Sequence, residues 1–207
     1  IAEEIIRSHG AVPSFKGYEG YPASICASVD DQVIHGIPSK KTVLREGSIV
    51  GIDVGAYLNG YHGDGARTFA VGDIAPEAQK LMDVTRESFF AGMKFAKAGN
   101  HLHEISAAVQ AYAEKNGCGV VRDYVGHGVG REMHEDPPIP NYKTIGRGPK
   151  LVAGMTLAIE PMINLGRPEV EVLDDDWTVV TCDGSLSCHY ENTILITETG
   201  YEILTQL

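Results

Sequence analysis

Positive charge is scarce in this chain. Seventeen Lys and Arg stand against 28 Asp and Glu, for a formal net charge of −11. Binding a phosphate backbone takes clustered Lys and Arg, so the charge argues against nucleic acid as a partner. Long apolar runs are also missing. None reaches the ~18 residues of a membrane-spanning helix, which argues against a membrane partner. The four cysteines, Cys26, Cys118, Cys182 and Cys188, show no C-x-x-C spacing. They read as reduced thiols of a cytoplasmic protein. The opening residues, Ile1-Ala2-Glu3-Glu4, are acidic and have no apolar core of the kind a secretory signal needs. No low-complexity linker interrupts the chain. The expectation is one domain over residues 1–207, made of two similar halves, about 1–72 and 73–207.

What the sequence does have is an internal repeat. Leu44-Arg45-Glu46-Gly47 is followed six residues after its glycine by Asp53, and Leu151-Val152-Ala153-Gly154 is followed at the same distance by Glu160. Each copy then carries a His-x-acid strand, His62-Gly63-Asp64 in the first and His189-Tyr190-Glu191 in the second. Four carboxylates at matching places predict a pseudo-twofold site where the halves meet. Aligning Gly10 with Gly117 leaves roughly 35 to 40 residues of helix without a counterpart in the first half. The repeat therefore predicts that an N-terminal helical segment is missing from this chain.

Local patterns give a mixed α/β (α+β) reading. Ile1, Ile5 and Ile6 form a short helical stripe ending at Gly10. Strands are expected over 24–29 and 32–34, and a hairpin over 49–71 turns at Asn59-Gly60, where both residues tolerate positive φ. A helix is expected from Pro76 to Gly99 on the stripe Leu81, Val84, Phe89, Met93 and Ala96. A second, capped by Asn100, follows the stripe Leu102, Ile105, Val109 and Tyr112. Beyond Gly117 the pattern is strands and loops, with runs at 120–125, 155–163, 170–173, 177–182 and 190–197.

If Asn59-Gly60 is a two-residue turn, Gly55 pairs with Asp64, and Asp53 faces the same side of the sheet. The two aspartates are then diagonal neighbours, roughly 7 Å apart at Cβ. That spacing suits a pair of metal ions ~3.5–4 Å apart. Singly, each acid could be a solvated edge-strand residue. But Asp53 lies within Ile49-Val50-Gly51-Ile52-Asp53-Val54, Glu160 interrupts Leu157-Ala158-Ile159, and Glu191 precedes Ile194-Leu195-Ile196. Acids on apolar strands are costly unless paired or bound to metal.

The histidine motif runs from Gly126 to His134. Its closely spaced glycines rule out a regular helix and are expected to let the backbone approach a ligand. His127 adds an imidazole to the carboxylates, while spacing leaves the roles of His134 and His35 open. His9, His62, His101, His103 and His189 read as ordinary histidines. Four carboxylates and one imidazole suit Co, Mn, Fe or Zn.

These residues resemble the methionine aminopeptidases over nearly the whole chain. The resemblance is carried by His35-Gly36-Ile37-Pro38, Ile52-Asp53-Val54, Gly60-Tyr61-His62-Gly63-Asp64, the Gly126-to-His134 motif, Ile159-Glu160-Pro161-Met162 and Tyr190-Glu191-Asn192-Thr193. Only 25 residues separate His134 from Glu160, which leaves no room for the helical insert of the type II enzymes, so the likeness is to type I. The resemblance implies the pita-bread fold, whose two halves enclose two divalent metal ions. It makes Asp53, Asp64, His127, Glu160 and Glu191 the metal ligands, with Asp64 and Glu191 bridging. His134 and His35 would contact substrate around the scissile amide, and Glu160 would also move the proton. Tyr18, Tyr21, Cys26, Met133 and Trp177 would line the methionine pocket. The substrates would be the N-terminal methionyl peptides of nascent chains, cleaved by a cytoplasmic monomer.

Departures from the family pattern are Met133 in place of an aromatic residue, Phe15 near a position where a small thiol is common, Gly65 for Thr, and Glu132 for Gly. Two alternatives stand beside this reading. One is an Xaa-Pro aminopeptidase or dipeptidase of the same fold. The other is a non-catalytic pita-bread binding protein, which should have lost ligands that this chain keeps.

Overall fold

The computed structural model describes residues 1–206. The chain opens with α1 (Ala2–Ser8) and the two-residue β1 (Val12–Pro13), then a short 3₁₀ turn at Tyr18–Gly20. Strands β2 (Cys26–Val29) and β3 (Gln32–Ile34) precede the long hairpin β4 (Ile49–Leu58) and β5 (Tyr61–Ala70). Asn59 and Gly60 turn this hairpin with φ of 53° and 91°, as the Asn-Gly pair predicts. Its register is the expected one, with Leu58 opposite Tyr61 and Gly55 opposite Asp64. One edge of β4 is taken by β5. The other is shared end to end by β1 and β2.

Helices α2 (Pro76–Met93) and α3 (Leu102–Lys115) lie side by side and cover the sheets. The sequence places the end of α2 at Gly99, but the helix stops at Met93, and the 94–100 segment turns back on itself. Asn100 does not cap α3. It donates instead to the Phe95 carbonyl, and the cap position belongs to His101, whose N–H is held by Glu104 Oε2 at 2.8 Å. A carboxylate at that helical position satisfies a donor the helix itself leaves free.

The remaining strands are short. They are β6 (Gly119–Val120), β7 (Gly126–Gly128), β8 (Glu135–Ile139), β9 (Thr156–Ile159), β10 (Met162–Asn164), β11 (Val170–Val172), β12 (Val179–Thr181), β13 (Ser187–His189), β14 (Asn192–Ile196) and β15 (Tyr201–Ile203). The run read as one strand over 155–163 is two, because Pro161 has no N–H to give a ladder and breaks it. β9 joins a five-stranded sheet ordered β15-β14-β9-β7-β8, whereas β10 joins β13 and β6. The run read as a strand over 120–125 pairs only over its first residues.

Two apolar layers hold helices to sheets. Phe89, Met93, Leu102, Ile105 and Val109 pack on Leu157, Ile159, Ile194 and Ile196. Leu81, Val84 and Ala113 pack on Ile49 and Ile163. Burying each large side chain contributes roughly 1.5–3 kcal/mol. The four cysteines are free, and three of them are buried. Among the described residues no helix is long and apolar enough to cross a membrane.

The edge of β5 meets the β13–β14 segment across a seam of hydrogen bonds. Thr193 Oγ1 donates to the Asp64 carbonyl at 2.9 Å and accepts from the Asp64 N–H at 3.0 Å. Thr68 Oγ1 forms the same reciprocal pair with His189. The Glu191 N–H donates to the Ala66 carbonyl, and Arg67 donates to the Glu191 carbonyl and to Asn192 Oδ1. Each of these bonds lies beside one of the repeat-related acids.

Candidate metal centre

Asp53 and Asp64 come from the two strands of the hairpin. Asp53 sits opposite Cys26 on one side and Ala66 on the other. Glu160 lies at the bend between β9 and β10, and Glu191 between β13 and β14. All four acids face one cavity of roughly 200 Å³. Every residue the sequence assigned to the site lines this cavity, together with Phe15 and Glu19.

His127 enters from β7. Its Nδ1 lies 2.8 Å from the Gly128 carbonyl, an acceptor only, so Nδ1 carries the proton. Nε2 then offers its lone pair to the cavity, 3.6 Å from Glu160 Oε1 and 3.8 Å from Asp64 Oδ2. A backbone hydrogen bond that fixes the tautomer is the usual support of a metal-ligating imidazole. The glycines around it stand against neighbouring backbone. A Cβ on Gly126 would stand 2.3 Å from the Ala158 carbonyl oxygen, and one on Gly128 2.3 Å from that of Asp136. They let the neighbouring strands close on β7.

His134 lies beside His127, with ring centroids 4.2 Å apart, and its Nδ1 is 2.8 Å from the Tyr18 hydroxyl. His35 holds a left-handed backbone at φ 59°, rare for a residue other than glycine and typical of functional positions. Its ring meets Tyr124 and Trp177 edge to face. Burial, then the neighbouring His189 and His134, pushes its pKa down to about 4. Tyr21 packs edge to face on Trp177 at 5.0 Å and donates its hydroxyl to the Gly36 carbonyl. Cys26 and Met133 are buried in the wall, and the ring of Phe15 lies where a Cβ on Gly55 would be.

One residue was missed. His189, read as ordinary, is 3% exposed. Its Nε2 points at the acids, 3.5 Å from Glu160 Oε2 and 4.0 Å from Glu191 Oε2. The sequence signal was the repeated His-x-acid pattern. It is ambiguous, because His62 in the first copy sits at the half-buried rim and its Nδ1 bonds Ser14 Oγ.

The model of metallopeptidase family M24 matches residues 1–198. The chain belongs to that family. Among family members, it is 61% identical to a methionine aminopeptidase of Clostridium acetobutylicum over 99% of this chain and 82% of the relative. It is 54% identical to methionine aminopeptidase 1 of Bacillus subtilis over 100% of this chain and 83% of the relative. The crystal structure of methionine aminopeptidase from Thermotoga maritima superposes with a TM-score of 0.96 at 50% identity, covering 99% of this chain and 82% of that one. A prolidase from Pyrococcus furiosus shares the architecture at a TM-score of 0.68 and 28% identity, covering 88% of this chain and 49% of that one. The pita-bread fold expected from the sequence is therefore the fold of this M24 chain.

Metallopeptidases use divalent metal, and the donor set of this M24 chain fits one. Ligand atoms of Asp64, His127 and Glu191 lie within 4.8 Å of one another. Asp53 Oδ1, Asp64 Oδ1 and Glu191 Oε1 are buried without a hydrogen-bond partner. Burial, with the charge of Glu160 adding to it, raises Asp53 to about 6, and burial raises Glu160 to about 7. Asp64 is pushed well above the usual carboxylate range by burial and then by Asp53 and Glu160, and Glu191 by burial and then by Asp64, Glu160 and Asp53. Four clustered acids without counter-charge are strongly disfavoured, and a cation removes that cost.

Proposed function

We propose that this chain is a metal-dependent methionyl aminopeptidase that removes the initiator methionine from nascent polypeptides. The observation that carries the reading is the four repeat-related carboxylates converging with His127 on one cavity, whose far wall is built of Tyr18, Tyr21, Cys26, Met133 and Trp177. Asp53, Asp64, His127, Glu160 and Glu191 would hold two divalent ions, Co, Mn, Fe or Zn. Such ions lower the pKa of a bound water toward neutrality and polarise a carbonyl.

The remaining work falls to side chains. Glu160 would take a proton from water and return it to the leaving amine. His134 Nδ1 lies 2.8 Å from the Tyr18 hydroxyl, and with that hydroxyl as donor the His134 Nε2–H would be free to donate to the scissile group. His35, held rigid by its backbone and by Trp177, orients the substrate on the opposite side. The pocket walls offer rings and a thiol to a long, polarizable thioether. The unpaired thiols support a cytoplasmic setting, and we read the chain as a single catalytic domain acting as a monomer.

A steady-state comparison of Met-Ala, norleucine-Ala, Leu-Ala and Lys-Ala peptides, with an Xaa-Pro peptide alongside, tests this. Methionine and norleucine are expected to be cleaved comparably, because they are unbranched side chains of nearly equal volume. Charged and β-branched first residues are expected to be rejected. Equal kcat/KM for Lys-Ala and Met-Ala, or preference for the Xaa-Pro peptide, overturns the assignment.

A further inference from the structure

Among the described residues, His189 points at the acid cluster although neither the repeat nor the resemblance gives it a role. It sits at the end of β13, opposite Met162 of β10. Its main chain is fixed at both ends, since Thr68 Oγ1 accepts from the His189 N–H at 3.1 Å and donates to the His189 carbonyl at 2.9 Å. The ring therefore has little freedom to leave. Its Nε2 is buried and has no hydrogen-bond partner. The nearest acceptors are carboxylate oxygens, Glu160 Oε2 at 3.5 Å and Glu191 Oε2 at 4.0 Å.

Glu160 is flanked by two imidazoles. His127 Nε2 stands 3.6 Å from Oε1 and His189 Nε2 stands 3.5 Å from Oε2. The two rings cannot play the same part. His127 spends its Nδ1 proton on the Gly128 carbonyl and presents a lone pair. His189 has no such carbonyl bond, and Glu160, deprotonated whenever it serves as a ligand, accepts but never donates. An N–H at Nε2 is the form that satisfies both partners. A buried N–H left unpaired costs about 1–3 kcal/mol. Closing the gap to Glu160 by roughly 0.6–0.8 Å would instead form a charge-assisted hydrogen bond.

We propose that His189 is a positioning residue. Its Nε2–H holds Glu160 Oε2 and so aims Oε1 at the side of the cavity occupied by His127. It touches neither substrate nor the scissile bond. The inference rests on the reading of Glu160 as a ligand and proton carrier. The comparison with the first copy of the repeat sharpens it. There the equivalent His62 is tied to Ser14 and stacks on Tyr57, out at the rim. Only the second copy places its histidine against a ligand.

The test uses the full chain as wild type, His189→Gln and His189→Leu. Manganese affinity is measured by chelator competition, kcat and KM with Met-Ala, and folding by circular dichroism. Leu fills the space without a donor, so manganese should bind 10–100-fold more weakly, the usual loss when a ligand's support is removed. kcat should fall with KM little changed. Gln supplies an N–H of similar reach and should restore both to within about fivefold. Leu behaving like wild type overturns the proposal, and so does Gln failing as badly as Leu. Should the Leu variant not fold, ¹⁵N imidazole spectra of zinc-loaded wild type decide, with His189 assigned by its loss in the Gln variant. A neutral Nε2–H tautomer is expected. An Nδ1–H tautomer, or Nε2 bound to zinc, overturns the proposal. Wild type that binds manganese but cleaves no methionyl peptide refutes the aminopeptidase reading alone, and the affinity arm still judges His189.

Discussion

Each histidine around the cavity has its chemistry set by what its other nitrogen touches. His127 gives Nδ1–H to a carbonyl and keeps a lone pair, whereas His134 Nδ1 faces the Tyr18 hydroxyl, and its proposed role needs a donor at Nε2. His127→Ala is therefore expected to lose bound metal. His134→Ala should retain it while kcat falls by roughly 10²–10³. Elemental analysis beside kinetics separates the two, and metal loss in the His134 variant would mean the roles are reversed. Tyr18→Phe removes only the orienting hydroxyl, so kcat should drop roughly tenfold, about 1.4 kcal/mol, with metal content unchanged. Asp64→Asn should be among the most damaging changes, since the Asp64 carboxylate, His127 and Glu191 bring ligand atoms within 4.8 Å of one another. Its metal content by mass spectrometry is the check. The acids were legible in the sequence because a carboxylate on an apolar strand has few reasons to be there. His189 was not. A histidine is tolerated in a strand for many reasons, and only its burial and direction reveal that it faces Glu160.

Among the elements, those set by local chemistry were legible. The Asn59-Gly60 hairpin was read to the residue, because both positions need positive φ and the pleat then fixes every pairing. Short strands such as β6 and β12 were overread, since their ends are decided by partners distant in sequence. The end of α2 was missed for a related reason: the Phe95 carbonyl is taken by Asn100, a contact that no periodicity encodes. The glycines of β7 were recognised as special, but the backbone they stand against belongs to segments distant in sequence. Their actual role predicts that Gly126→Ala is disruptive, because its new carbon would stand 2.3 Å from backbone oxygen that cannot rotate away. β7 would have to lift from β9 and carry His127 with it. The variant should melt at least 5 °C below wild type and bind metal more weakly, and scanning calorimetry with and without manganese tests both. Gly60→Ala, which meets no atom within 4 Å, should cost only the strain of its positive φ.

For the whole molecule, the acid cluster sets how stability depends on pH. In metal-free protein Glu160 titrates at about 7 and Asp53 at about 6, with Asp64 and Glu191 also displaced upward. A carboxylate whose pKa is raised on folding binds more protons folded than unfolded, so stability falls as pH rises through that range. Histidines whose pKa is lowered, such as His35 at about 4, work oppositely, but only below their unfolded value near 6.5. The two effects offset each other between about pH 4 and 6.5. Above that the carboxylates act alone. Metal-free protein should thus lose on the order of 1 kcal/mol or more between pH 6.5 and 8.5. With saturating manganese the trend should flatten or reverse, because binding takes the deprotonated form. Thermal melts at three pH values with chelator or metal measure this. A metal-free melting temperature that rises across the interval contradicts the cluster's predicted charge state.

The seam between β5 and the β13–β14 segment gives the ion a second significance. Asp64 and Glu191 stand beside that seam and 127 positions apart along the chain (191 − 64). An ion held between them closes a loop as long as many whole domains, as a disulfide would. Unlike a disulfide, this crosslink is indifferent to reductant and has a strength set by the surroundings. At a free-ion concentration one hundred times the dissociation constant it adds about 2.7 kcal/mol, and with no free ion it adds nothing. Resistance to proteases should accordingly rise with the free metal concentration if such an ion is bound. In a metal-starved cell the chain would then be lost by degradation as well as by inactivity.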